Sequence, residues 1–270
     1  MNLKRFLLAG LRVVSALWAI AFALLYFSQE QLIFPGTKLP ENFTFHFNIP
    51  FEERTVLVDG QRIHSLLFHP KNSKGRVLYF HGNAGDLQSW GEAGQELAQR
   101  ISMDVWMPDY PGYGKSEGSI TSESQLHRLG AAFFEATQRF RSSSSKLIIF
   151  GRSIGTGIAV KLASENPVSA LILETPYLSL QEVASEKAPW APLFLLKYTF
   201  RSDQWIQQVR SPVMILHGDQ DEVIPFHQGR DLSTIATGST FVPIPRGHHN
   251  DLSVFPRYWS SLDRFISKLN

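Results

Sequence analysis

Three stretches hold residue types that could carry out nucleophilic chemistry. They are a serine between glycines in GRSIG (151–155), two aspartates in HGDQD (217–221), and two adjacent histidines in GHHND (247–251). A serine hydroxyl needs a base beside it to become a nucleophile. Imidazole, which titrates near neutrality, suits that task, and a carboxylate can hold the imidazole in the right tautomer. The chain order of Ser153, then Asp219 or Asp221, then His248 or His249 is one in which such triads occur. Glu174 is a third possible acid. Asp219 directly follows Gly218 and has the position of a turn residue, whereas Asp221 lies further round the loop. Spacing alone leaves both the acid and the base open.

Acyl transfer also needs donors for the oxygen that becomes negative. A helical pattern starts directly after Ser153, so the N–H of Ile154 sits at a helix N-terminus, where partial positive charge gathers. The small residues of HGNAG (81–85) let backbone approach closely, and the N–H of Asn83 is the second candidate donor. His81 has no clustered carboxylate or second histidine nearby, so it reads as shaping that loop rather than binding a metal. PDYPGYGKSEG (108–118) ends like a phosphate-binding loop. Asp109, however, stands where that motif needs glycine, and Pro111 removes an N–H from the cradle. Asp109 and Ser116 read as structural turn residues. The chemistry needs neither cofactor nor metal.

These residues must be held by a frame, and the apolar pattern supplies one. Strands are expected at 54–58, 62–68, 76–80, 103–107, 146–150, 168–173, 213–217 and 239–244, several of them continuous apolar runs suited to burial on both faces. Helical patterns fall at 87–100, 122–141, 154–165, 226–236 and 251–268, with Asp251 as expected N-cap of the last. RSSSSK (141–146) reads as a polar loop. The alternation predicts an α/β fold with a mostly parallel eight-stranded sheet flanked by helices and an antiparallel start. Sites in such sheets gather at the carboxyl ends of strands, where Ser153, Asn83 and the aspartates fall. Residues 176–206 break the alternation and are rich in proline and large apolar residues. They are expected to form a lid, with the run PWAPLFLL covering something apolar.

The chain has 270 residues, 43% hydrophobic and 19% charged, with a net charge of +2 and no cysteine. That balance fits a globular domain with a sizeable core and gives no basic stripe for nucleic acid. Without cysteine there is no disulfide, thiolate metal site or cysteine nucleophile. The first thirty residues differ: Lys4, Arg5 and Arg12 accompany an apolar run to Phe27, long enough to span hydrocarbon. Ala21-Phe22-Ala23 resembles a signal-cleavage site, but bulky residues follow it, so an uncleaved anchor over 1–30 is expected, with the domain at 31–270. The basic end should stay cytoplasmic, which places the domain on the opposite face, periplasmic in a bacterium. A linker, FPGTKLPENF, joins the two parts.

HGNAG (81–85), D-Y-x-G-x-G-x-S (109–116), G-x-S-I-G (151–155), HG-x-x-D (217–221) and H-N-D (249–251) occur in this order. Together they resemble the α/β-hydrolase superfamily, and within it the small membrane-anchored serine hydrolases that include protein depalmitoylases and bacterial relatives. The resemblance covers roughly residues 30 to 268. It implies Ser153 as nucleophile, Asp221 as acid, His249 as base, and the N–H groups of Asn83 and Ile154 as oxyanion donors. It implies hydrolysis of an ester or thioester through an acyl-enzyme, and the expected apolar lid together with the membrane anchor suggests a lipid-like acyl chain. A peptidase, or a silent binding protein on the same fold, are the alternatives. Arg152 departs from the neutral residue that relatives often carry there, which suggests either contact with an anionic substrate group or a side chain pointing away. The motifs do not specify substrate or oligomeric state.

Overall fold

A computed structural model describes residues 3–139 and 146–269. The expected polar loop at 141–146 therefore lies almost wholly outside the described residues. The helices are α1 (Leu3–Ile33), α2 (Leu87–Ile101), α3 (Glu123–Arg139), α4 (Gly155–Glu165), α5 (Leu180–Lys187), α6 (Ser202–Trp205), α7 (Phe226–Ile235) and α8 (Pro256–Ser267). The strands are β1 (Phe51–Val58), β2 (Gln61–Phe68), β3 (Gly75–Phe80), β4 (Asp104–Pro108), β5 (Lys146–Arg152), β6 (Ala170–Glu174), β7 (Val213–Gly218) and β8 (Thr240–Ile244). They form one sheet in the order β1-β2-β4-β3-β5-β6-β7-β8. The β1–β2 and β2–β4 pairs are antiparallel; all others are parallel.

Strand side chains alternate between two faces, and both faces are covered. In β3 and β5, Leu78, Phe80, Leu147 and Ile149 pack with Leu129 and Phe133 of α3 and Ile158 of α4. Val77, Tyr79, Ile148 and Phe150 pack on the other face with Leu97 and Ile101 of α2 and Leu262 and Phe265 of α8. Two-sided burial is why these strands read as unbroken apolar runs.

The order sets the site. The chain steps out from β3 to β4, then crosses back over β3 to β5. The carboxyl ends of β3 and β5 therefore lie side by side, with Phe80 opposite Gly151. At the other side of the site β7 pairs with β8, Gly218 opposite Ile244. HGNAG thus adjoins GRSIG, and HGDQD adjoins GHHND.

Three expectations change. The last helix begins at Pro256, preceded by a short 3₁₀ turn at Leu252–Val254. Asp251 does not cap it. Proline at the first helical position suits a missing N–H, and the Asp251 carboxylate instead accepts the His248 backbone N–H at 2.7 Å. The stretch after α1 is not a free linker. Thr37 N–H donates to Gly85 O at 3.0 Å, and Gly114 N–H to Thr37 O at 2.7 Å, so it straps together the loops after β3 and β4. The 176–206 insertion stands between β6 and β7, and Tyr177, Tyr198, Phe200 and Ile206 are buried in the core. Within its apolar run, however, Trp190 and Phe194 are exposed, while Leu195 and Leu196 are half-buried.

From Leu7 to Ile33, α1 is long and apolar enough to cross a membrane by length and composition. Its side chains from Leu7 to Ala21 are all exposed, so this part of the helix packs no face on the domain.

Candidate active site

Ser153 sits in the turn between β5 and α4 with φ of 51°, in the left-handed region that non-glycine residues rarely occupy. The turn is tight because its neighbours are glycine. A Cβ on Gly151 would lie 2.7 Å from Thr156 Cα, and one on Gly155 2.7 Å from His81 O. Ser153 N–H donates to Glu174 O at 2.9 Å, which fixes the turn to the end of β6.

The Ser153 hydroxyl lies 3.0 Å from His249 Nε2. His249 Nδ1 lies 2.8 Å from Asp221 Oδ2. All three residues are buried. If His249 Nδ1 carries the proton and donates it to Asp221, Nε2 is left as an acceptor for the serine proton. Asp221 Oδ1 accepts the N–H groups of Val223 and Ile224 at 2.9 and 2.8 Å. Burial acts to raise the Asp221 pKa, but hydrogen bonds from His217, His249 and Ile224 outweigh it and hold the carboxyl well below its ordinary range.

The competing residues have other partners. Asp219 accepts the Arg246 N–H at 2.7 Å and is exposed, as befits a turn residue. Buried Glu174 faces Arg152 Nε at 3.2 Å and accepts the Tyr258 hydroxyl at 2.8 Å. The His248 ring points outward to Glu222, with Nδ1 at 3.2 Å from the carboxylate.

The HGNAG loop closes the other side. A Cβ on Gly82 would lie 3.8 Å from Ser153 Cβ, so this backbone passes directly over the serine. The Asn83 carbonyl accepts the Tyr113 hydroxyl at 2.6 Å, and the Asn83 side chain donates to Ile33 O at 3.1 Å. The N–H groups of Asn83 and Ile154 donate no hydrogen bond to another described residue. His81 shapes the loop: its Nδ1 lies 2.8 Å from Gly82 O, and its Nε2 3.3 Å from Asp109 Oδ1, both residues being fully buried. Asp109 is thus a buried partner of His81 rather than a turn residue. Burial pushes its pKa up against the opposing pull of His81. Ser116 accepts the His64 N–H at 3.0 Å. Among the described residues, no group of three histidine, aspartate or glutamate side chains could hold a metal ion.

One contributor escaped sequence reasoning, and Arg152 has a role other than the two it suggested. His217, fully buried at the end of β7, brings Nε2 to 3.3 Å from Asp221 Oδ2. The HG-x-x-D pattern contained it, and a buried histidine four residues before the acid was the available signal. Arg152 is half-buried. Its Nη2 lies 3.2 Å from Asn250 Oδ1 and 3.4 Å from His249 O, and its guanidinium carbon is 5.0 Å from the centre of the Trp90 ring.

A model of the alpha/beta hydrolase fold matches residues 75–198. Alpha/beta hydrolase domain-containing protein WAV2 of Arabidopsis thaliana is 31% identical over 277 residues, covering 91% of this chain and 90% of that protein. The chain belongs to the alpha/beta hydrolase family. Two solved structures share this hydrolase's fold. Est1E from Butyrivibrio proteoclasticus, seen with ferulic acid bound, superposes with a TM-score of 0.66 at 20% identity, over 80% of this chain and 98% of that one. A membrane phospholipase A described as a bacterial virulence factor superposes with a TM-score of 0.59 at 18% identity, over 99% of both chains.

Proposed function

We propose that this hydrolase is a membrane-anchored serine hydrolase that cleaves an acyl ester or thioester through Ser153, His249 and Asp221. The observation that carries the reading is the continuous buried relay from Ser153 Oγ to His249 Nε2 at 3.0 Å and from Nδ1 to Asp221 at 2.8 Å.

Ser153 Oγ attacks the acyl carbonyl while His249 Nε2 takes its proton. The carbonyl oxygen becomes an oxyanion held by the N–H groups of Asn83 and Ile154; one such donor is worth ~2.7–4 kcal/mol of barrier. His249 then gives its proton to the departing oxygen or sulfur, and the acyl-enzyme forms. Water attacks the acyl-enzyme, its proton passes to Nε2, and the acid leaves as Ser153 recovers its hydrogen. Asp221 stays ionised and stabilises the imidazolium. The low pKa of Asp221 supports that role, because the carboxylate remains charged at any pH where His249 works.

The membrane part rests on α1, which residues 1–30 largely supply and which carries no charged residue from Val13 to Phe27. Lys4, Arg5 and Arg12 at its start support a domain on the non-cytoplasmic face. Likeness in fold to a Pyrococcus furiosus esterase and to a membrane phospholipase A supports an ester substrate and a lipid setting. A panel of esters, thioesters and amides of graded acyl length tests the substrate class. Long-chain esters or thioesters turning over fastest is the expected result. Equal rates at all lengths, or faster amide cleavage, would contradict it. Protease added to spheroplasts, whose outer membrane is breached and whose cytoplasmic membrane is sealed, should cut the domain; full protection would reverse the orientation.

A further inference from the structure

Residues 188–196 leave large apolar side chains in the open: Trp190 is 61% exposed and Phe194 85%. A loop that merely connects elements has no need of them. The loop is held in shape by its own turns. Ala191 N–H donates to Ala188 O at 2.9 Å, and a 3₁₀ turn at Leu193–Leu195 closes with Leu196 N–H on Leu193 O at 3.1 Å. That turn draws Leu195 and Leu196 back toward the body and leaves Phe194 outward.

Both ends of the loop are fastened. At one end, the buried Gln29 of α1 pairs with it like a strand neighbour: its amide donates to Leu195 O at 2.8 Å and accepts Lys197 N–H at 2.9 Å. Lys197 Nζ lies 3.1 Å from both oxygens of Glu30 and 4.3 Å from the centre of the Tyr26 ring. At the other end, Lys187 Nζ donates to Glu222 O at 2.8 Å, one residue from Asp221. The loop therefore bridges the rim of the Ser153–His249–Asp221 site and the end of α1.

Its level along α1 identifies its partner. The 27-residue apolar span from Leu7 to Ile33 is about 40 Å long, whereas hydrocarbon is ~30 Å thick. The polar run Ser28-Gln29-Glu30-Gln31 then marks the interfacial end of the helix, and the loop is tied to that run. Aromatic rings beside lysine are what the interface accepts, the rings entering the headgroup zone and the ammonium snorkelling outward. Apolar side chains of α1 continue the patch: Leu24 is 66% exposed and Phe27 76%.

We propose that the 188–196 loop is a second membrane contact, which inserts Trp190 and Phe194 into the bilayer interface beside α1 and so turns the mouth of the triad site toward the lipid. The acyl chain would then enter from the membrane rather than from water. The proposal rests on α1 being embedded.

The cysteine-free chain allows a direct test. Single variants Phe194→Cys, Trp190→Cys, Ala19→Cys and Lys71→Cys carry a nitroxide in the full chain, reconstituted in phosphatidylcholine vesicles. Lys71 is an exposed residue in the turn between β2 and β3, at the end of the sheet away from the site. Collisions with oxygen should exceed those with a water-soluble nickel chelate at 190, 194 and 19, and the reverse should hold at 71. Chelate access at 190 and 194 as free as at 71, with 19 in lipid, would overturn the loop contact and leave the anchor standing. Chelate access at 19 would overturn the anchor itself. Spin–spin broadening at 194 that grows with the labelled fraction would mean a second copy covers the patch, which also overturns the proposal. The Trp190→Ser, Phe194→Ser double variant supplies a functional arm. The ratio of its rate on a long-chain ester in vesicles to its rate on a soluble short ester should fall on the order of tenfold. An unchanged ratio would contradict lipid entry. Failure of the wild type on both substrates would instead count against the hydrolase reading.

Discussion

Arg152 reaches from the turn that carries Ser153 to the turn that carries His249, its Nη2 lying 3.2 Å from Asn250 Oδ1. Behind it stands Glu174, with Tyr258 donating to the same carboxylate. A cation between the nucleophile and base turns, held on a buried anion, fixes one against the other.

Replacing Arg152 with Gln should therefore lower kcat by on the order of tenfold to a hundredfold, with KM little changed, because it loosens His249 rather than substrate binding. It should also cost about 3–5 kcal/mol of stability by stranding Glu174. The double variant Arg152→Gln, Glu174→Gln should regain stability without regaining kcat. A raised KM with normal kcat would mean that Arg152 contacts substrate.

Asp221→Asn removes the charge that holds the His249 tautomer, and kcat should fall by about 10⁴-fold. The same substitution tests acid stability. Because the folded Asp221 pKa lies below the unfolded value near ~3.9, the unfolded chain binds more protons and stability rises with pH through this window. The wild-type advantage over Asp221→Asn should be full above the unfolded value and shrink as pH falls toward the folded one. Urea melts at graded pH check this, and an advantage that persists undiminished at low pH would contradict it.

His248→Ala should keep kcat/KM within about twofold and stability within about 1 kcal/mol, since the ring makes only a surface pair with Glu222. Loss of activity comparable to that of His249→Ala would give His248 a place in the chemistry.

Gly155→Ala should be severely destabilising, roughly 3 kcal/mol or more, because the added methyl meets the backbone oxygens of the β3 end rather than a movable side chain. Thermal melting measures the loss. A variant as stable as wild type would show that the Ser153 turn has slack.

Much of this frame was legible in the sequence because each strand ending in a motif is a short run buried on both faces. Ser153 and its glycines, HGNAG and HGDQD could therefore be placed at strand ends before any coordinates. The choice of Asp221 over Asp219, and of His249 over His248, rested on resemblance, since both alternatives fit the spacing. What stayed hidden depends on contacts between residues far apart in sequence. Arg152 meets Asn250 across 98 positions and Gln29 meets Leu195 across 166, and no local pattern encodes either. The start of α8 was misplaced for a local reason: the Asp251 carboxylate had a nearer N–H to satisfy, that of His248. The run PWAPLFLL leaves Trp190 and Phe194 exposed, which its apolar composition could not show, because composition does not say what a side chain packs against.

The most direct test of the central claim is to treat the full chain with a fluorophosphonate probe and map the adduct by mass spectrometry. A single adduct on Ser153, absent in Ser153→Ala and formed far more slowly in His249→Ala, is the predicted result. An adduct that persists in Ser153→Ala, or a wild type that never reacts, would contradict it.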